Sequence, residues 1–349
     1  MKTYRNLFDQ IISLENLFAA WEKFKSDKQG KDDVQLFEWQ LEQNIFQLHR
    51  DLKARRYKHG LYTSFWIQDP KQRHIHKAAV RDRVLHHAIF AIINPLFEKS
   101  FISNSFSCRI NKGTHKGIIT LRDLTRKVSG NVRKPCFALK CDIKKFFETI
   151  DHYILFNILA KKIKDPDTMW LLREVIESFS SRYSNLFEQK GVPIGNLTSQ
   201  LFANVYLNEF DQFIKHGLKI KHYLRYTDDF VILADNPYYL EKIISPIKSF
   251  LRQRLCLELH PNKVSIRKLR QGIDFLGYVV LPYHLQLRTK TKNRVFKKLK
   301  MRVKEYKDGR IPYKTVEQSL QSYLGVLSHA DTHILNQELK NQLWFWLNE

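Results

Sequence analysis

Two adjacent acids between two strand-like stretches constrain this chain most: Tyr226-Thr227-Asp228-Asp229, within HYLRYTDDFVILAD. Before the acids, Ile220, His222, Leu224 and Tyr226 share one face of a strand, and Lys221, Tyr223 and Arg225 share the other. After them, Phe230 to Ala234 is continuously apolar and reads as a buried strand. Acids are common at hairpin tips, where water solvates them. Two side by side against a buried strand are unfavourable unless a positive group meets them, and a divalent cation can do so. Taken alone, the pair fits a solvated turn as well as it fits half of a metal site.

The rest of the chain favours the second reading. It has 349 residues, enough for two or three lobes, and its 43% hydrophobic content supports a packed core. Fifty-nine basic against 35 acidic residues leave a net charge of +24. That excess argues against an enzyme of small neutral substrates and for a polyanionic partner, nucleic acid first; a structural RNA binder would share it. No long apolar stretch suggests a membrane. The cysteines, Cys108, Cys136, Cys141 and Cys256, form no CxxC pair and read as reduced, mostly buried thiols. The N-terminus carries acids, and Leu7, Ile11, Leu14, Phe18 and Trp21 follow helical spacing, so a helix and a cytosolic location are expected.

Residues 1–57 read as helical with a polar break at 26–33, a second helix beginning near Val34. Strand-like pieces surround Phe65-Trp66-Ile67, and the apolar helix from Arg81 is expected to stop at Pro95. Phe137 to Asp142 alternates as a strand, 152–180 is helical, GVPIGN (191–196) is a turn, and Thr198 to Ile214 is a helix. A helix over 241–255, strands near Val264–Ile266 and Phe275–Val280, and a basic helix from Thr291 follow, then the apolar helix NQLWFWLNE. Strand, helix, helix, hairpin, helix, strand pair is an α+β sheet covered by helices.

Asp142 ends the strand in LKCDIKKFFETID; alone it would read as a capping acid before a helix. Metal-dependent phosphoryl transfer needs acids held rigidly on a sheet around two ions about 3.5–4 Å apart. One acid cannot bridge both, so three from two strands is a sensible supply. One Mg²⁺ lowers the pKa of a 3′-hydroxyl and the other holds the triphosphate.

LKCDIKKFF, GVPIGNLTSQLFANVYL, LRYTDDFVIL, LELHPNK and IDFLGY occur in the order of the reverse-transcriptase palm motifs, and the chain resembles that family over about residues 60 to 285. Upstream, PKQRHIHKAAVRDRV and SNSFSCRINKGTHKGI look like the fingers motifs of bacterial reverse transcriptases. Most of the family has Gln-Gly and Ser-Pro in the loop before the third motif's helix; here stand Ile194-Gly195 and Ser199-Gln200. That IGxxxSQ form, and SYLGVLSHADTHIL (322–335), resemble the reverse transcriptases of diversity-generating retroelements. The resemblance implies a right-hand polymerase fold: an N-terminal helical segment (1–57), fingers (58–135), a palm with an antiparallel sheet backed by helices (136–285, helical insertion about 152–190) and a helical thumb (286–349). It further implies error-prone copying of a template-repeat RNA, dNTPs, an RNA/cDNA duplex and a small basic helical accessory protein, in a bacterial or phage-infected cell. The alternatives are a defence-associated, retron-like or intron-type bacterial enzyme, or a non-catalytic RNA-binding module. No maturase-like or HNH segment is expected after the thumb, and no RNase H domain.

Residue by residue, the resemblance implies that Asp142, Asp228 and Asp229 bind two Mg²⁺ ions (Mn²⁺ as the alternative), with Ile143 offering a backbone carbonyl. Phe147 matches the steric gate against a ribose 2′-hydroxyl, with Phe146 left to core packing. Lys71, Arg73 and Arg81 are candidate triphosphate clamps, Arg73 matching best, and contact with template phosphates is the equal alternative for Lys71 and Arg81. Gly195 allows close backbone approach to the nucleotide or the template base, Gln200 borders the nucleotide, and Ile194 stands where relatives place a glutamine that touches it. Isoleucine has no hydrogen-bonding side chain, which suggests a looser check on the nascent pair. Lys263 matches a lysine that protonates pyrophosphate. Phe275, Leu276, Gly277 and Tyr278 resemble a primer grip, and Lys290, Lys292, Arg294, Lys297 and Lys298 would track duplex phosphates. The histidines, His74, His76, His86, His87 and His222, form no zinc set and read as packing, surface or RNA-contacting residues.

Overall fold

The computed structural model describes residues 2–68, 71–185 and 188–349; Pro70, the first residue of the upstream motif, lies outside them. The chain runs through α1 (Phe8–Ile12), α2 (Leu14–Lys25), α3 (Asp32–Trp39), α4 (Leu41–Lys53), β1 (Thr63–Ile67), β2 (Arg73–Lys77), α5 (Val80–Glu98) and α6 (Thr114–Ser129). It continues with β3 (Phe137–Asp142), α7 (Phe146–Thr149), α8 (His152–Lys162), α9 (Pro166–Glu177), α10 (Leu197–Gln212), β4 (Tyr223–Tyr226), β5 (Asp229–Ala234) and α11 (Pro237–Leu255). It ends with β6 (Ser265–Lys268), β7 (Ile273–Phe275), β8 (Tyr278–Val280), β9 (Leu285–Leu287), α12 (Thr289–Lys307), α13 (Tyr313–Leu327) and α14 (His333–Asn348). The expected α+β class holds: helices accompany sheets that are antiparallel wherever their register is defined.

These elements form two compact units whose segments interleave along the chain. The first comprises residues 1–103, 142–220 and 245–262. Its core includes Trp21, Phe24, Ile45, Val84, Leu85 and Ile89, from α2, α4 and α5. Asp165 pins two helices at once. Its carboxylate caps α9 through Thr168 N–H and accepts Leu7 N–H (2.7 Å) and Phe8 N–H (2.9 Å) at the start of α1. β1 and β2 form a two-stranded ribbon with Trp66 opposite His74, their rings stacked at 4.4 Å.

The second unit comprises residues 104–141, 221–244 and 263–349. Its four-stranded sheet has the order β4-β5-β3-β6, and a three-stranded sheet, β7-β8-β9, follows. Both contribute to one core, with Leu224, Val231, Leu233, Ile273, Phe275 and Val280 packed against Ile118 and Leu121 of α6. Helices α12 to α14 have their own core around Leu299, Val316, Leu339 and Leu343.

Three sequence expectations, on Pro95, on Phe275–Val280 and on the cysteines, need correction. Pro95 does not stop α5, which runs on to Glu98. The proline withdraws one donor from the ladder, but Ile93 and Phe97 on either side of it are buried and packing carries the helix through. Both faces of the strand before the acids are buried at Tyr223, Leu224 and Arg225. Phe275–Val280 is a hairpin with its turn at Leu276-Gly277, not one strand. Only Cys136 and Cys141 are buried; Cys108 and Cys256 are exposed. No helix of the described residues is long and apolar enough to cross a membrane.

Candidate active site

In the second unit, β4 and β5 pair from Tyr223↔Ile232 to Tyr226↔Asp229, which leaves Thr227 and Asp228 as a two-residue tip. Thr227 has φ 53°, a left-handed conformation that a β-branched residue adopts only under constraint. The constraint is visible. Thr227 Oγ1 donates to Ser107 Oγ (2.6 Å), and Arg225 Nη1 donates to the Thr227 carbonyl (3.0 Å). Arg225 Nη2 reaches Ser105 Oγ (3.1 Å), and Thr114 Oγ1 reaches Tyr226 Oη (3.4 Å). The backbone is tied as well, since Arg225 N–H donates to Asn104 O (2.9 Å) and Phe106 N–H to Arg225 O (3.0 Å). The 104–106 segment thus covers the outer edge of β4. Asp228 and Asp229 are partly exposed at this fixed tip.

Among the described residues, no three acids, histidines or cysteines converge as a preformed metal cage. The donors at the tip nevertheless suit Mg²⁺. That ion keeps several waters and binds through one or two carboxylates plus substrate phosphates, not through an all-protein cage. Two adjacent hard carboxylates, open to solvent on one side and anchored on the other, are such a donor set.

In the first unit, Asp142 is 8% exposed and its carbonyl accepts His260 N–H (2.8 Å), while Lys144 N–H donates to Glu258 O (2.8 Å). These bonds flank the Ile143↔Leu259 bridge, so Ile143 is the non-hydrogen-bonded member and its own carbonyl turns away from Leu259. Lys145 has φ 49° and starts α7 with Phe146 buried and Phe147 only half-buried. Val192 N–H donates to the Phe147 carbonyl (2.8 Å), which joins α7 to the 191–196 turn. That turn is fixed at its other end: His76 N–H donates to Ile194 O (3.1 Å) and Asn196 Nδ2 to His76 O (2.9 Å). Gly195 has φ 114°, and a Cβ there would lie 2.9 Å from Ile75 Cγ2, so its close approach is to β2. Gly195 and Gln200 line a cleft of about 270 Å³ with Phe65, Ile75, Lys77 and Arg83. Asp33 pairs with both of those cations. The larger cavity, about 450 Å³ and lined by Asp151, His152, Glu177, Glu188 and Cys256 among others, includes none of the expected site residues.

Lys71 and Arg73 are exposed on the ribbon. Arg81 is committed elsewhere: it donates to Lys58 O (2.7 Å), faces Asp51 (3.5 Å) and lies over the Tyr57 ring (5.0 Å). It therefore has a structural duty within the first unit.

In the second unit, Lys263 ends a single 3₁₀ turn and is half-buried. Leu276 (φ 51°) and Gly277 (φ 89°) make the two-residue turn between β7 and β8. Phe275 and Tyr278 point into the core, and Tyr278 Oη donates to Val326 O (2.9 Å), so the backbone of the tip is what the hairpin offers. On α12, Val295, Leu299 and Val303 form the buried stripe, while Lys290 and Lys297 are exposed and Arg294 and Lys298 half-buried. Lys292 instead pairs with Glu338 of α14 (3.0 Å). Sequence reasoning missed Arg225, Ser105 and Ser107. The available signal was an arginine immediately before Tyr-Thr-Asp-Asp, on the strand face it shares with Lys221 and Tyr223.

The family profile described as reverse transcriptase (RNA-dependent DNA polymerase) matches residues 67–280, more than half of the chain. Protein YkfC of Escherichia coli (strain K12) is 27% identical over 234 residues, 57% of this chain and 61% of that protein. The group II intron-encoded protein LtrA of Lactococcus lactis subsp. cremoris is 23% identical over 260 residues, 56% of this chain and 42% of that protein. The chain thus spans less than two thirds of either relative. Among solved structures, telomerase from Candida albicans in complex with a fragment of telomeric RNA aligns with 84% of this chain and 61% of its own, at 10% identity and TM-score 0.48.

Proposed function

Because the chain belongs to the reverse transcriptase (RNA-dependent DNA polymerase) family, we propose that it copies RNA into DNA from dNTPs by two-metal nucleotidyl transfer. The observation that carries this reading is the Tyr226–Asp229 hairpin, two partly exposed carboxylates on a tip tied down from both sides. Asp142, Asp228 and Asp229, with the Ile143 carbonyl, are the groups that would hold the ions, Mg²⁺ or Mn²⁺. When bound, the ions supply Lewis acidity toward the primer 3′-hydroxyl and the triphosphate. Phe147 excludes the ribose 2′-hydroxyl. Arg73 and Lys71 hold triphosphate oxygens; Arg81, already bonded to Lys58 O, is left out of the clamp. Lys263 delivers a proton to pyrophosphate. The Leu276-Gly277 tip supports the primer end, and Lys290, Arg294, Lys297 and Lys298 track duplex phosphates.

Ile194 and Gln200 support the narrower reading, an error-prone enzyme of a diversity-generating retroelement. It would copy a template-repeat RNA with a small basic helical accessory protein, in the bacterial cytosol. An intron-type enzyme is the second reading, favoured by the likeness to an intron-encoded protein. Primer extension on RNA with sequencing of the cDNA tests these claims. Asp228→Asn with Asp229→Asn is expected to reduce metal-dependent synthesis to background; undiminished synthesis overturns the catalytic assignment. Ile194→Gln is expected to lower errors opposite template adenines, and an unchanged error spectrum removes the support for the narrower reading.

A further inference from the structure

We propose that Arg225 is a positioning residue for the reaction: its guanidinium holds the Thr227–Asp228 peptide in the orientation that aims the two carboxylates. The proposal rests on the reading that Asp228 and Asp229 hold the metal. Arg225 is fully buried, 0% exposed. Burying a guanidinium is unfavourable unless its donors and charge are used. Here one arm of the fork meets the Thr227 carbonyl at 3.0 Å and the other meets Ser105 Oγ at 3.1 Å. The Thr227 carbonyl belongs to the peptide unit that leads into Asp228, so fixing its plane fixes where the Asp228 side chain starts. The same residue is left-handed, at φ 53°. A threonine left to itself departs from that conformation. Arg225 from below and Ser107, through the Thr227 hydroxyl at 2.6 Å, are the contacts that oppose the departure. Arg225 itself cannot shift, because the 104–106 segment bonds its N–H and its carbonyl.

Lysine would keep the charge but lose the planar fork that spans two acceptors at once. Arg225→Lys is therefore expected to bind template–primer as wild type does and to keep KM for dNTP within a small factor. Its kcat should fall about 100-fold. Its Mn²⁺ affinity should weaken roughly tenfold, as for other groups that orient a metal's ligands. Affinity is read without turnover, by electron paramagnetic resonance of Mn²⁺ with a chain-terminated primer–template and dNTP. Mn²⁺ held by the Asp228→Asn/Asp229→Asn protein is subtracted. A residue that merely stabilises the fold would lower the active fraction and leave both KM and the Mn²⁺ affinity of the folded protein unchanged. Where Arg225→Lys fails to fold, Ser107→Ala and Ser105→Ala remove one restraint each and are expected to weaken Mn²⁺ binding in the same direction by a smaller factor. Folded variants with wild-type kcat and Mn²⁺ affinity overturn the positioning role alone. Equal Mn²⁺ binding by wild type and the Asp228→Asn/Asp229→Asn protein overturns the metal reading beneath it.

Discussion

Lys145 turns left-handed at φ 49° and so presents two successive phenylalanines differently. Phe146 is 1% exposed and packs at 6.5 Å from the Tyr206 ring, whereas Phe147 is half-buried, its ring edge-on to Phe146 at 5.4 Å and its carbonyl bonded by Val192 N–H. Their substitutions should separate cleanly. Phe146→Ala is expected to destabilise the protein by about 3–5 kcal/mol, as for buried aromatics generally. Phe147→Ala should leave the melting temperature nearly unchanged and raise use of rNTPs roughly 10–100-fold, the discrimination a pocket achieves against an added hydroxyl. Kinetics with paired dNTP and rNTP, beside thermal melts, check both, and a Phe147→Ala protein that still rejects rNTPs overturns the gate. The acid pair and the phenylalanines after Asp142 stood out as candidates because local pattern marks them: charge beside an apolar run, and an aromatic at fixed spacing from an acid. Arg225 was not, because strand alternation gives only the face it shares with Lys221 and Tyr223, and its partner Ser105 lies 120 residues away.

At the scale of elements, α2 and α5 pack around histidines that a sequence pattern could only read as bland. His86 is fully buried and its imidazole is held well below the ordinary range, by burial first and then by His59, His87 and Arg83. On the same helix, burial and the cations Lys28, Lys23 and Arg83 lower His87 from 6.5 to about 4. As pH falls below 6.5 the unfolded chain protonates His87, while the folded protein does so only near about 4. The unfolded state therefore binds more protons across that window, so the contribution is complete above it and is lost progressively as acid is added. His87→Gln removes this contribution and should flatten part of the decline in melting temperature between pH 6.5 and about 4. Superimposable melting profiles would show that His87 is uncoupled from folding. The same helix shows why element ends are hard to read: Pro95 is a strong local stop, and only the burial of Ile93 and Phe97 in the folded unit outweighs it.

Over the whole molecule, the order of segments along the chain differs from their grouping in space, since residues 104–141, 221–244 and 263–349 form one unit and the intervening stretches the other. Local periodicity reports each strand and helix but carries no signal for which segments return to the same unit. Charge is legible at this scale without any fold, and the net +24 makes a steep salt dependence of nucleic-acid binding the expected behaviour. The structure refines which cations matter. On α12 the stripe Val295, Leu299 and Val303 is turned to the α13–α14 side, leaving Lys290 and Lys297 exposed, while Lys292 is held by Glu338. Log affinity for an RNA/DNA duplex against log salt concentration should lose roughly 0.7–0.9 of slope per phosphate contact removed. Lys290→Gln with Lys297→Gln is expected to flatten the line by roughly twice that amount. Lys292→Gln should change the slope less, because its charge is already paired, and should lower thermal stability slightly through the lost α12–α14 tie; for an exposed pair that is about 0–1 kcal/mol. Fluorescence anisotropy over a salt series measures both. If the double variant keeps the wild-type slope, Lys290 and Lys297 make no phosphate contacts, and other cations of the basic surface grip the duplex.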